Sequence, residues 1–425
     1  MIMDSKSTHK LRLDIETILL FMSSVAIFGL LFLRDAMGYS VSKWIFLIIL
    51  APLLLFLSER NMMALWCFVM PLYVGLPGNY LTLIMLARFG LKYILNGFKA
   101  KDPVLFITVF LAAIYILAQN LFFGITTIFR NMFVIELFIA YFVFCEEEKN
   151  NFGRMFTSYA VGVATVGIIM LVYTLRLYGL DELFTASNGL GSTARPDEMT
   201  IIIDSNYYGL YVIAVLSIGW LMLRKRQLSR KQMVLVSLSM FAAIFVACVG
   251  LSRAFILGMA LWAMMVILVE KNIGMKVFFA LFVAIIACII YWAIPGAVEA
   301  LLERFEGDDM ATGNGRITFI IDYGRQWLET PWTIMFGVGF AGCRAHCMHA
   351  QYIFGLGIIG AGFYAAMGSC YWIRARQQGR KYRAFEYAIP AISAQIIAAT
   401  IPIAQAFTFL MPIFMTVLAY KEINK

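Results

Sequence analysis

Only three histidines occur in this 425-residue chain, and two of them, His346 and His349, stand a helical turn apart in RAHCMHAQ. On a helix that spacing puts both imidazoles on one face. A neutral imidazole at such a place can serve as a general base near neutral pH; the plainer reading is a pair of interfacial hydrogen-bonding groups. The arginines are the second informative set. Arg253 in LSRAF has apolar residues on both sides, Arg316 opens RITFIIDYGRQWL, and Arg195 precedes Pro196 in a polar stretch. A guanidinium fork suits phosphate or carboxylate bidentately, and one left without a partner at a membrane boundary is costly. Snorkelling to the interface is the plainer reading for Arg304, Arg325 and Arg344; Arg253 is harder to dismiss. Asp204, Ser205 and Asn206 interrupt an apolar run, where they either orient a ligand or hydrogen-bond a neighbouring helix. Cys343, His346, Cys347 and His349 invite a metal reading. However, zinc sites draw ligands from two separated pairs, and donors on one short stretch do not surround an ion. No metal and no other cofactor is expected, and no Walker-type loop, serine-hydrolase elbow or nucleotide fingerprint is present.

The elements that must position these groups follow from composition. Hydrophobic residues make up 62% of the chain and charged residues 14%, against roughly 45–50% and about 25% in soluble domains. That excess must face lipid or other membrane helices. A net charge of +9 raises the question of nucleic acid, but the basic residues sit in short clusters between apolar runs, the pattern of membrane loops. No nucleic-acid partner is expected. The cysteines make no disulfide framework. The sequence therefore predicts an all-α, polytopic membrane bundle of about 12–14 spans, each near 20 residues. The runs lie at 17–33, 43–58, 62–77, 80–94, 103–118, 131–145, 156–178, 200–223, 233–250, 254–269, 276–294, 351–373, 387–404 and 405–420. With the N-terminus in the cytoplasm, most Lys and Arg fall inside, including the clusters 224–231 and 374–383, as the positive-inside tendency requires. The first span reads as an uncleaved anchor. Glu136 and Arg88 reach comparable depths on neighbouring spans and could pair.

One connection is long. Residues 295–350 fall on the outer side, together with the shorter loop 179–199 that holds Arg195. Within the long loop, 316–328 sets Ile317, Ile320, Ile321, Tyr323, Trp327 and Leu328 broadly on one side, as in a helix lying on the membrane surface. The Gly-rich run 337–342 then leads back to the membrane. An irregular loop of that length is usually functional, which makes the outer face the place to look for chemistry. Three arginines on that side (Arg195, Arg253 and Arg316) point to a phosphate-rich lipid head group.

LSRAF, GRITFIIDYGRQWLETPWTIMFGVGF and HCMHAQYIFGLGIIG together resemble the C-terminal half of the bacterial O-antigen ligase and O-antigen/exopolysaccharide polymerase superfamily. Aligned on Gly357-Ile358-Ile359-Gly360, the family histidine falls on His346 and its glutamine on Gln351, with His349 where an aromatic or histidine is common. DSNYYG at 204–209 resembles the family's D-P-N segment, with Ser205 in place of proline. Cys347 stands where asparagine usually follows the histidine, and Ile320 or Ile321 where tryptophan is usual. The likeness covers about residues 200–365 and divides the chain into N-terminal spans (1–199), a catalytic region (200–373) and C-terminal spans (374–425). It implies a metal-independent, inverting glycosyltransferase of the bacterial inner membrane, with cytoplasmic termini and an extracytoplasmic active site. The donor would be an oligosaccharide on undecaprenyl diphosphate and the acceptor a glycan or glycolipid in the same bilayer, with a chain-length regulator and a flippase as further partners. His346 would be the base, with Asp322 second. Arg253 and Arg316, then Arg195, would hold the diphosphate, and His349, Gln351, Asp204 and Asn206 would support. Polymerase is the favoured activity, ligase the alternative within the class, and a lipid-linked oligosaccharide flippase or exporter the alternative outside it.

Overall fold

The computed structural model describes residues 5–97, 102–125, 132–145, 152–179, 205–224, 228–250, 253–274, 316–340 and 347–378, with isolated positions between these stretches. Every regular element among the described residues is helical. The principal helices are α1 (Ser5–Leu31), α2 (Lys43–Phe56), α3 (Glu59–Val69), α4 (Gly78–Leu95), α5 (Pro103–Phe122), α6 (Met132–Cys145), α7 (Phe152–Tyr178), α8 (Ser205–Arg224), α9 (Arg230–Val249), α10 (Arg253–Val269), α11 (Arg316–Leu328), α12 (Pro331–Phe336) and α13 (Leu356–Gln378). Among the described residues five stretches are long and apolar enough to cross a membrane: Ile15–Ala36, Pro103–Phe122, Phe152–Tyr178, Arg230–Val249 and Met348–Cys370. Three shorter apolar helices accompany them, Lys43–Phe56, Tyr208–Arg224 and Phe255–Val269. The chain is an all-α, multi-pass membrane protein. The expected spans 276–294, 387–404 and 405–420 lie largely or wholly outside the described residues.

Local chemistry sets the helix ends. Asp102 caps α5, its carboxylate accepting from the Leu105 N–H at 3.2 Å, and Pro103 occupies the first turn, where no N–H is needed. Ser229 and Gln232 form a capping box on α9. The expected span 62–77 is not one helix. α3 stops at Val69 and passes into a 3₁₀ stretch, Met70–Gly75, because Pro71 supplies no N–H to continue the α ladder.

α7 lies at the centre, against α3, α8 and α9. Gly162 lets it approach α3 so closely that a Cβ there would lie 2.4 Å from the Phe68 carbonyl oxygen. Small residues at a helix crossing allow such contact, which in lipid stands in for a hydrophobic driving force. The lipid-side helices carry exposed apolar residues such as Ile48, Phe56, Leu121 and Phe241.

Polar groups gather at both ends of the bundle. At one end Glu16, buried, accepts from Asn61 Nδ2 at 2.8 Å and from the backbone N–H and hydroxyl of Ser58. Arg154 donates to Asn61 and Thr17 there. Arg88 donates to the carbonyls of Leu54 and Leu57, the latter at 2.6 Å, and Lys92 pairs with Glu59. Arg88 is thus tied to the end of α2; its expected partner Glu136 has a side chain outside the described residues. At the other end a π-turn, Phe32–Ala36, buries Arg34 and Asp35 as a bidentate pair at 2.7 and 2.8 Å, with Arg34 also donating to the Gly75 carbonyl.

Candidate functional site at the Arg34 end

Two Gly-rich runs that are separate in sequence meet at the Arg34 end. α12 is capped by Thr330 and Thr333 and stops at Gly337, whose φ is +84°. Further along, the helical chain widens into a π-turn over Gln351–Gly355 and breaks at Gly357, with φ +67° and ψ −171°. Only glycine adopts that region without strain. The breaks interlock: Val338 N–H donates to the Phe354 carbonyl at 2.9 Å, and Gly339 N–H to that of Gly355 at 3.1 Å. A Cβ on Gly337 would stand 2.2 Å from the Gly355 oxygen, and one on Gly357 2.4 Å from the Met335 oxygen.

α11 forms over the expected residues, but its apolar surface divides. Ile320, Tyr323 and Trp327 turn toward the protein, against Phe354 and the small buried cluster of Cys343, Ala345 and Ala350. Tyr323 donates to the Gly342 carbonyl at 3.0 Å, and Trp327 Nε1 to that of Ile334 at 3.1 Å. Ile317, Ile321 and Leu328 remain exposed, a separate stripe free to meet lipid. The sequence merged two faces into one because their positions are adjacent on a helical projection.

Of the residues singled out by sequence, His349 and Gln351 are the best defined. His349 lies half-buried on the single turn Met348–Ala350, with Nδ1 3.4 Å from the Tyr364 hydroxyl. Tyr364 stacks on buried Tyr352 at a centroid distance of 4.0 Å. Gln351, also buried, donates to the Phe340 carbonyl at 3.3 Å, joining the π-turn to the Gly-rich loop. Asp322 is exposed on α11 and makes no hydrogen bond or ion pair among the described residues. His346, Arg195 and Asp204 lie outside the described residues. Arg253, Arg316 and Asn206 occupy the first turns of α10, α11 and α8, and their side chains lie outside the described ones. Among the described residues no group of His, Cys, Asp or Glu is arranged to hold a metal ion. Burial lifts the Cys343 thiol to about 11, so it stays protonated and unreactive at neutral pH.

The fold relates these starting turns. Gly209 on α8 faces Phe255 on α10, and Gly258 faces Ile213. α8 and α10 are therefore parallel neighbours, and Asn206 and Arg253 begin side by side. α8 runs antiparallel to α7, since Gly219 meets Phe156, and α7 ends at the Arg34 end, where Arg176 donates to the Ala36 carbonyl. The first turns of α8 and α10 thus share an end of the bundle with Gln351 and His349.

Sequence reasoning missed what anchors this segment. Tyr115 and Gln119 on α5 reach across to it. The available signal was a Tyr and an amide one turn apart in a mostly apolar helix, a pair that rarely lacks a partner in a membrane. The chain matches no protein-family model and no curated protein.

Proposed function

We propose that the chain is a glycosyltransferase embedded in a bacterial inner membrane and working at its extracytoplasmic face. It takes an oligosaccharide from undecaprenyl diphosphate and extends an O-antigen or exopolysaccharide chain. The observation that carries this reading is electrostatic. α10 and α11, described from Arg253 and Arg316, have no acidic residue in their first turns. A cation at the positive end of a helix dipole is unfavourable alone; an anion such as a diphosphate offsets both the guanidinium and the dipole. The resemblance of LSRAF, the Arg316 segment and the His346–Gly360 segment to the polymerase and ligase superfamily supports the same donor.

In the proposed reaction His346 takes the proton of an acceptor sugar hydroxyl as that oxygen attacks the anomeric carbon. The bond from that carbon to the diphosphate oxygen breaks, and the lipid diphosphate leaves with the electron pair. Arg253 and Arg316, with Arg195 third, meet its charge near a low-dielectric boundary. A single displacement inverts the anomeric centre. Asp322 is the second candidate for the base. His349 and Gln351 hold the turn that follows His346, and Asp204 and Asn206 orient the glycan.

The test is complementation of a deletion strain, with surface glycan resolved on a gel and undecaprenyl-linked intermediates analysed alongside. His346→Ala is expected to lower transfer by about 10²–10⁴-fold, and Arg253→Ala to abolish it, both at normal membrane levels. Full activity in either removes the mechanism. In the deletion strain, acceptor capped by a single repeat identifies a polymerase. Long chains held on the carrier identify a ligase instead. Single repeats trapped on the cytoplasmic leaflet identify a flippase.

A further inference from the structure

We infer that Gln119, on α5 in the N-terminal half, is a positioning residue for the turn that carries His349 and Gln351. Apart from Thr108, which bonds within its own helix, the polar side chains of α5 are Tyr115, Gln119 and Asn120. Tyr115 and Gln119 share a face. Gln119 is 7% exposed and uses both ends of its amide. Nε2 donates to the carbonyls of Phe336 and Gly355, the latter at 2.7 Å, and Oε1 accepts from the Phe340 N–H at 2.9 Å. The Tyr115 hydroxyl donates to the Leu356 carbonyl at 2.7 Å.

These carbonyls lie where α12 ends and where the chain breaks at Gly357, so the regular helical donors that would serve them are missing. The Gly355 carbonyl is shared by the Gly339 N–H and Gln119, and the Phe336 carbonyl by Gln119 and the Tyr115 hydroxyl at 3.3 Å. Carbonyls short of donors at membrane depth are costly in lipid, and the Gln119 amide adds to both what the helix cannot. Its orientation is fixed, because two acceptors face its nitrogen and one donor faces its oxygen. Gln119 therefore sets the height and tilt of the interlocked Gly337 and Gly357 segments, and the His349 turn follows directly from them.

For transfer activity the inference rests on the glycosyltransferase reading. There, loss of Gln119 shifts the catalytic turn while leaving Arg253 on α10 in place. Gln119→Leu should lower kcat about 10- to 100-fold, with KM for the lipid-linked donor within about twofold.

A second readout is independent of that reading. Cys343 is 1% exposed, and its Cβ lies 3.3 Å from where a Cβ on Gly355 would be, so its reaction with a maleimide reports the position of the turn. In purified full-length protein, with labelled peptides identified by mass spectrometry, Gln119→Leu should raise the Cys343 rate about tenfold or more, while Cys67, buried on α3, stays unreactive. Gln119→Glu adds a pH profile. Its carboxylate repels both carbonyls, whereas its acid form keeps one donor, so its Cys343 rate relative to the parent should fall as pH is lowered. Gln119→Leu should show no such recovery.

Parent-like Cys343 rates in both Gln119 variants overturn the inference. Raised rates in a protein whose parent form transfers no glycan leave Gln119 as a positioning residue and remove the enzyme reading. If Cys67 also becomes reactive, the Gln119 variants have lost the fold and Tyr115→Phe decides: a Cys343 rate equal to the parent's there overturns the inference as well.

Discussion

The Glu16 end of the bundle and the helix breaks at Gly337 and Gly357 satisfy buried polar groups by different means. At the Glu16 end the groups are charged side chains answered mainly by other side chains: Glu16 with Ser58 and Asn61, Arg154 with Asn61 and Thr17, Lys92 with Glu59. Arg224 and Glu270 form a similar pair where α8 and α10 finish. Around the helix breaks at the Arg34 end, the groups needing partners are backbone carbonyls, answered by neutral donors on α5. The first arrangement needs ions the sequence displays openly and leaves the helices regular. The second needs broken backbone, which only glycine permits, and it holds an irregular segment rigidly without adding fixed charge beside it.

Substitutions at each end should separate these two modes. The largest effect belongs to the interlocked glycines. Gly337→Ala or Gly357→Ala forces a Cβ into backbone and should cost about 3 kcal/mol or more, seen as a large fall in the melting temperature of the purified protein. A melting temperature near the parent's would show that the break relaxes freely. Glu16→Ala leaves Ser58 and Asn61 without their acceptor and should cost about 2–3 kcal/mol. Tyr115→Phe removes one neutral hydrogen bond and should cost about 1 kcal/mol. Equal costs for these last two would erase the distinction between the Glu16 end and the helix breaks.

Glu270→Gln should cost less than about 1 kcal/mol and lose that effect in high salt. The Asn272 N–H, with help from Arg224, holds the Glu270 carboxyl below its ordinary 4.5. Its contribution is therefore present above that value and lost as pH falls through the folded pKa. Cys343 has the smallest effect at neutral pH. Its thiol is raised from 9.0 to about 11, so the folded state binds the proton more tightly than the unfolded. Stability should be flat below 9.0 and decline between 9.0 and about 11, a slope that Cys343→Ala should reduce.

The sequence by itself determined the class of structure. Composition and the length of apolar runs require helices in lipid, since backbone polar groups there must be satisfied within the segment or in a closed barrel. It also placed α11, because the 3.6-residue period of RITFIIDYGRQWL is local. It could not show that Ile320, Tyr323 and Trp327 face protein while Ile317, Ile321 and Leu328 do not, since periodicity reports an apolar surface without naming what covers it. Nor could it join GVGFAG to GLGIIG, or either to Gln119, from which the bonded carbonyls are 217 and 236 residues distant. Those contacts arise where helices end and the chain must find donors elsewhere, and only the tertiary structure decides which side chain supplies them.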